Sequence, residues 1–219
     1  MSLELFGHPF SSYTWKALIA LYENDTPFAF RTLGPDHPGN GAAFSALSPV
    51  GKFPVLVDGD RAIAEATAII EYLDVAHPGA VRLVPDDRIA AIEVRMLDRL
   101  FDNYVMTPMQ TIVGDALRPD DQRDAYGVDR ARAMLDTAYA WCDRHMATRD
   151  WAAGGAFSLA DCAAGPSLFY ADWVHPIGDR FPAIAAYRAR LLARPGIRRC
   201  VDEARPYRPL FPLGAPDRD

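Results

Sequence analysis

The sequence predicts an α/β unit followed by an all-α unit, with the element order βαβαββα and then helices only. Three observations carry this reading. Strand-type apolar runs alternate with helical periodicity through the first 77 residues, a compact hairpin signal surrounds Gly59-Asp60, and beyond Pro85 the strand signals stop. The predicted division is residues 1–77 for the α/β unit, 78–86 for a linker and 87–219 for the helical unit with an extended tail.

Residues 2–6 read as a short strand, and the turn-like Gly7-His8-Pro9-Phe10-Ser11 leads into a segment with Trp15, Leu18, Ile19 and Tyr22 on one helical face. Phe28-Ala29-Phe30-Arg31-Thr32-Leu33 predicts a second strand. The Gly/Pro/Asn-rich run from Gly34 to Gly41 predicts a loop before a short helix from Ala42 to Leu47. Pro54-Val55-Leu56-Val57-Asp58 and Arg61-Ala62-Ile63 predict an antiparallel hairpin, and Ala66, Ile69, Ile70 and Leu73 mark the helix after it. His77-Pro78-Gly79 opens the linker. Ile92, Met96 and Leu100 belong to one long helical segment bent near Pro108, and Ala133, Met134, Tyr139 and Trp141 belong to a second, predicting an antiparallel pair. Shorter helices fit Leu159 to Val174, Pro182 to Leu192 and Gly196 to Ala204, each bounded by Pro or Gly. The proline-rich last fifteen residues predict an extended tail.

Composition excludes several classes of function. Lys+Arg 23 against Asp+Glu 29 gives a net charge of -6 with no long block of one sign, which argues against nucleic acid as a ligand. Every apolar run is interrupted well before the roughly 20 residues that cross a bilayer, so no membrane partner is predicted. Met1-Ser2-Leu3-Glu4-Leu5-Phe6 lacks the basic and apolar regions of a secretory signal. Cys142, Cys162 and Cys200 are odd in number and far apart, as suits reduced thiols, and a cytoplasmic location is expected. His8, His37, His77, His145 and His175 show no ligand spacing, so no metal is expected.

Two segments carry the chemistry. In Gly51-Lys52-Phe53-Pro54-Val55-Leu56 a proline opens a predicted strand. A cis bond before Pro54 would leave the backbone of the preceding residue to an extended peptide ligand, whereas a trans bond would make it an ordinary edge-strand start. Eleven residues on, Glu65-Ala66-Thr67-Ala68-Ile69-Ile70-Glu71-Tyr72-Leu73 resembles the glutathione transferase superfamily, whose N-terminal domain is thioredoxin-like. Phe157-Ser158-Leu159-Ala160-Asp161 resembles the family's capping box, and Phe181-Pro182-Ala183-Ile184 and Arg194-Pro195-Gly196 resemble helix junctions of bacterial members. Their common order and spacing extend the resemblance over nearly the whole chain.

The resemblance implies glutathione as co-substrate and a homodimer. It places the γ-glutamyl end at Glu65, Ala66 and Thr67, with Ala66 standing where the family usually has a hydroxyl, and the backbone-pairing edge at Phe53 and Pro54. Thr67 points about 100° around the helix from that hydroxyl. Lys52 is a candidate partner of the glycyl carboxylate, or else a solvated surface lysine. The electrophile pocket is expected between the domains, against Phe10, Tyr104, Met106 and Tyr170. A cysteine thiol has a pKa of about 8.5, and lowering it by about two units takes roughly 2.7 kcal/mol of preference for the anion. A hydroxyl donor at a helix N-terminus is within reach of that. Ser11 is the first candidate, with Ser12 and Tyr13 as alternatives and helix capping as the other role for Ser11. The implied reaction is conjugation of the glutathione thiolate to small hydrophobic electrophiles. Its alternatives are glutathione-dependent isomerisation or dehalogenation, and glutathione or ligand binding without turnover.

Overall fold

The computed structural model describes residues 3–48 and 50–219. Strand β1 (Leu3–Gly7) pairs in parallel with β2 (Phe28–Thr32) and antiparallel with β3 (Val55–Asp58), which pairs with β4 (Arg61–Ala64). The sheet order is β2-β1-β3-β4 among the described residues, with Leu5 opposite Phe30 on one side and Leu56 on the other. Ser2, expected to open the first strand, lies outside the described residues. The hairpin turns at Gly59, whose φ of 63° is a left-handed conformation that glycine adopts without Cβ strain.

Helix α1 (Ser12–Glu23) follows β1, and everything from Trp15 to Leu21 on it is at most 2% exposed. Such a helix is buried all round rather than on one stripe. It packs against α3 (Ala66–Ala76) and, from the helical unit, against α7 (Leu159–Val174) and α9 (Pro195–Ala204). Lys16 is the charge in the middle of this buried run. Helix α2 (Pro38–Leu47) starts earlier than the sequence suggests. Pro38 fits the first turn, where a missing N–H costs nothing, and the Asn40 side chain ties that turn to the Thr32 carbonyl at 2.9 Å.

The long bent segment is α4 (Arg88–Leu100), a π-helical turn over Phe101–Met106, and α5 (Thr107–Ala116), which packs against α6 (Ala125–Met146). On α4 the buried face is Ala91, Val94, Leu97 and Asp98, while Ile92 and Met96 point outward. The helix thus carries two apolar stripes, and Ile92 and Met96 belong to the outer one. Helix α7 is buried from Leu159 to Asp172 and sits against α1, α4, α5 and α8 (Pro182–Ala193). The proline-rich tail departs from the extended form, because Arg205–Leu210 winds into a 3-10 helix that packs on α9.

A polar cleft and an apolar cavity that meet at Ser11

The turn between β1 and α1 is held from several directions. Gly7 comes so close to Thr14 that a Cβ there would lie 2.6 Å from its methyl carbon. The Pro9 carbonyl accepts from Trp15 Nε1 at 2.5 Å, the Phe10 carbonyl from the Tyr170 hydroxyl at 2.9 Å, and Ser11 N–H donates to the His8 carbonyl at 3.0 Å. Ser11 is the N-cap of α1: its oxygen accepts from Thr14 N–H at 3.3 Å. That bond uses a lone pair and leaves the hydroxyl proton to point elsewhere.

Two hollows open on this turn. A cleft of about 540 Å³ runs past Ser11, Tyr13, Ser48, residues 50–54, residues 64–66, Arg99, Asp102, Asn103 and Gln110. An adjoining cavity of about 440 Å³ is walled by His8, Phe10, Ser12, Met109, Val113, Leu117, Tyr170 and Leu210 to Pro212. Ser11, Phe53 and Gln110 border both. Phe10, Tyr170, Trp173 and Phe211 form an aromatic cluster behind the cavity.

Within the cleft, the Phe53-Pro54 peptide bond is cis. Ser48, buried at the foot of this segment, exchanges hydrogen bonds with the backbone of Lys52 at 2.9 and 3.0 Å, and the Lys52 side chain stands exposed. Glu65 precedes α3 with φ 70°. For a residue with a Cβ this conformation costs about 1–3 kcal/mol, a strain that gathers at ligand-holding positions. Its carboxylate has no hydrogen-bond partner among the described residues, and Ala66 beside it is nearly buried. Tyr13 is half-buried in the cleft, and burial first, then Asp102, pushes its hydroxyl up to about 12, so it stays a neutral donor at physiological pH.

Beneath the cleft lies an ionic network that joins α1, α3 and α4. Lys16 Nζ lies 2.5 Å from Asp98 Oδ1, an ion pair without hydrogen-bond angles, and 2.7 Å from Asp102 Oδ2. Arg99 closes the network onto Asp98 at 2.5 Å and Asp102 at 3.0 Å. Thr67 is part of it: its hydroxyl accepts from Lys16 at 2.8 Å and donates to Asp98 at 3.0 Å. Asp102 Oδ1 is buried without a partner, and burial raises the Asp102 pKa against the pull of Lys16.

The expected site residues are therefore brought together unevenly. Ser11, Tyr13, Lys52, Phe53, Pro54, Glu65 and Ala66 share the cleft, while Ser12 and Phe10 face the cavity with Tyr170. Thr67 does not line the cleft, because its turn around the helix commits it to Lys16 and Asp98. Met106 is fully buried in the core and Tyr104 is half-exposed on the far side of the π turn; Met109, Gln110 and Val113 on α5 take the places expected for them. Arg99, Asp102 and His8 were missed by sequence reasoning. The available signal was a lone lysine in an apolar helix and two aspartates four apart, Asp98 at the buried side of α4 and Asp102 in the π turn after it, which must find one another.

The tail completes the cavity wall. Arg205 and Arg208 both reach the Asp219 carboxylate, the former at 2.7 Å, and Arg218 pairs with Asp172 on α7. These contacts fix the tail from which Phe211 joins the aromatic cluster and Leu210 lines the cavity. Among the described residues no group of three or more His, Cys, Asp or Glu is placed to share a metal, and no helix is long and apolar enough to cross a membrane. All three cysteines are free and buried.

A small mixed sheet carrying a cis-proline cleft, backed by a helical unit that walls an apolar cavity, defines a thioredoxin-like unit joined to an all-helical one. Comparison with known families agrees. The glutathione S-transferase N-terminal domain matches residues 5–80 and the C-terminal domain of the same family matches residues 125–190. A probable maleylacetoacetate isomerase of Vibrio cholerae is 28% identical, over 94% of this chain and 98% of its own. A glutathione S-transferase of Methylobacillus flagellatus solved with glutathione bound superposes with a TM-score of 0.81 at 25% identity, covering 91% of this chain and 98% of that one. One from Methylobacterium radiotolerans, in complex with glutathione sulfonate, gives 0.79 at 28% identity, with 92% and 95% covered. The chain belongs to the glutathione S-transferase superfamily.

Proposed function

We propose that this chain transfers the glutathione thiolate to small hydrophobic electrophiles, with Ser11 holding the sulfur anion. The observation that carries this reading is the position of Ser11, whose free hydroxyl proton sits where a polar cleft of tripeptide size meets an apolar cavity. The N-terminus of α1 adds its positive end to the same point. Serine is too weak an acid and too weak a base to take the thiol proton; it lowers the thiol pKa by donating to the anion, and water carries the proton away. Bound relatives support glutathione in the cleft. There its backbone would pair along Phe53-Pro54, its glycyl carboxylate would meet Lys52, and its γ-glutamyl end would face Glu65, the Ala66 N–H and the unpartnered Asp102 Oδ1. Those two carboxylates suit the ammonium of that end, and the N–H of α3 suits its carboxylate.

A second reading is glutathione-dependent isomerisation, in which the sulfur adds to a conjugated double bond, rotation follows and the sulfur leaves. It is favoured by the similarity to the Vibrio cholerae protein over almost its full length. We also propose the domain division at residues 78–86, a cytoplasmic setting that supplies glutathione, and a homodimer. The outward stripe Ile89, Ile92 and Met96 on α4, with Val75 on α3, supports the last of these.

The test is steady-state kinetics with an aryl halide and an enone on wild type, Ser11→Ala, Ser12→Ala and Tyr13→Phe. Loss of one charge-assisted donor predicts a fall of about 10- to 100-fold in kcat/KM for Ser11→Ala, with the other two near wild type. A fall confined to Tyr13→Phe would move the role to Tyr13. Glutathione uptake without product from any electrophile would leave a binding protein.

A further inference from the structure

His8 opens the turn between β1 and α1, and the reaction proposed above assigns it nothing. Its ring borders the apolar cavity and stands edge-on to Tyr207, with ring centroids 4.7 Å apart. Nδ1 accepts the Phe10 N–H at 3.1 Å, which places the ring proton on Nε2. Nε2 has no hydrogen-bond partner among the described residues. On the same wall the Tyr170 hydroxyl donates to the Phe10 carbonyl and Ser11 is reserved for sulfur, while Ser12 and Gln110 are the other polar side chains that line the cavity.

We propose that His8 Nε2–H, across the same turn from Ser11, donates a hydrogen bond to the oxygen on which charge develops as the glutathione sulfur adds, so that the cavity selects enones and related electrophiles conjugated to oxygen. This rests on the thiolate-transfer reading. In the step, the sulfur pair forms a C–S bond at the β-carbon, the C=C pair moves to give an enolate, and the α-carbon takes a proton from water, restoring the carbonyl. Nothing is oxidised or reduced. A hydrogen bond to the enolate oxygen is stronger than one to the starting carbonyl, so it favours the transition state over bound substrate. Burial lowers the His8 pKa, which keeps the ring a neutral donor. An alkyl halide sends its charge out on the leaving group, away from sulfur, and offers no oxygen to receive this bond.

Two substitutions separate the donor from the turn support. In His8→Asn the amide oxygen takes over the Nδ1 acceptor for Phe10 N–H and the Nε2 donor is lost; in His8→Gln the amide nitrogen reaches the Nε2 position and the local acceptor is lost. The readout is the ratio of kcat/KM for a cyclic enone to that for an alkyl iodide. The expected result is a fall in this ratio of about 10- to 100-fold in His8→Asn and recovery to within a few-fold of wild type in His8→Gln. An unchanged ratio in His8→Asn overturns the proposal. So does parallel loss on both electrophiles in His8→Gln with His8→Asn intact, which would leave the ring as turn support. A wild type that conjugates neither electrophile would instead overturn the thiolate-transfer reading, and this proposal with it.

Discussion

The Ser11 oxygen accepts from Thr14 N–H at 3.3 Å while its proton stays available, so capping α1 and holding a thiolate are compatible in one side chain. Ser11 was legible because a hydroxyl between a strand end and a helix start has few places to go. His8 was not, since its value depends on Phe10 N–H fixing the tautomer and on Tyr207, from the far end of the chain, standing beside it. A residue of another kind is Asp58 on β3, which accepts from the Tyr72 hydroxyl at 2.8 Å and pairs with His77 at 2.6 Å. The His77 and Tyr72 hydrogen bonds hold its carboxyl below the usual range. Because its folded pKa is depressed, its stabilising contribution is present above about pH 4 and is lost as pH falls through the lower folded value. Thermal melts of wild type and Asp58→Asn should therefore differ at neutral pH and converge on acidification. A gap that stays constant down to about pH 2 would exclude this origin.

Among the elements, α7 was delimited from sequence to the residue, and its start shows why. Asp161, fully buried, receives Ser158 N–H at 2.9 Å, Ala152 N–H at 2.9 Å and the Tyr187 hydroxyl at 2.5 Å, besides the Ser158 hydroxyl at 3.1 Å. The capping box was visible as Ser-x-x-Asp, but the Ala152 and Tyr187 partners come from other elements and could not be read locally. Asp161→Ala leaves these donors in a dry interior, and a loss of about 3 kcal/mol or more is expected from urea unfolding. A loss below about 1 kcal/mol, the worth of a surface cap, would mean that the network is dispensable. On α4 the periodicity located the helix but left open which face is buried, because a helix with two apolar stripes does not say which one the core takes.

Across the whole molecule, the two units are joined through Lys16, whose carboxylate partners both lie in the helical unit. The fold class was legible from the change in periodicity, whereas this junction showed only as a lone lysine and two aspartates in need of partners, because a local pattern does not say which distant segments meet. Lys16→Met removes one charge and leaves two buried carboxylates with Arg99 as their remaining cation, so a cost of about 3–5 kcal/mol is expected. Chemical unfolding measures it, and a variant as stable as wild type would show that water or Arg99 takes over the charge. The hydrogen bonds of the Ser11 turn and the ion pairs of the tail are separate. The Ser11 turn rests on Thr14, Trp15 and Tyr170, whereas Leu210 and Phe211 are held by arginine pairs within the tail and onto Asp172. Substitutions at Leu210 or Pro212 can therefore remodel the rim of the cavity while the Ser11 turn keeps its own hydrogen bonds.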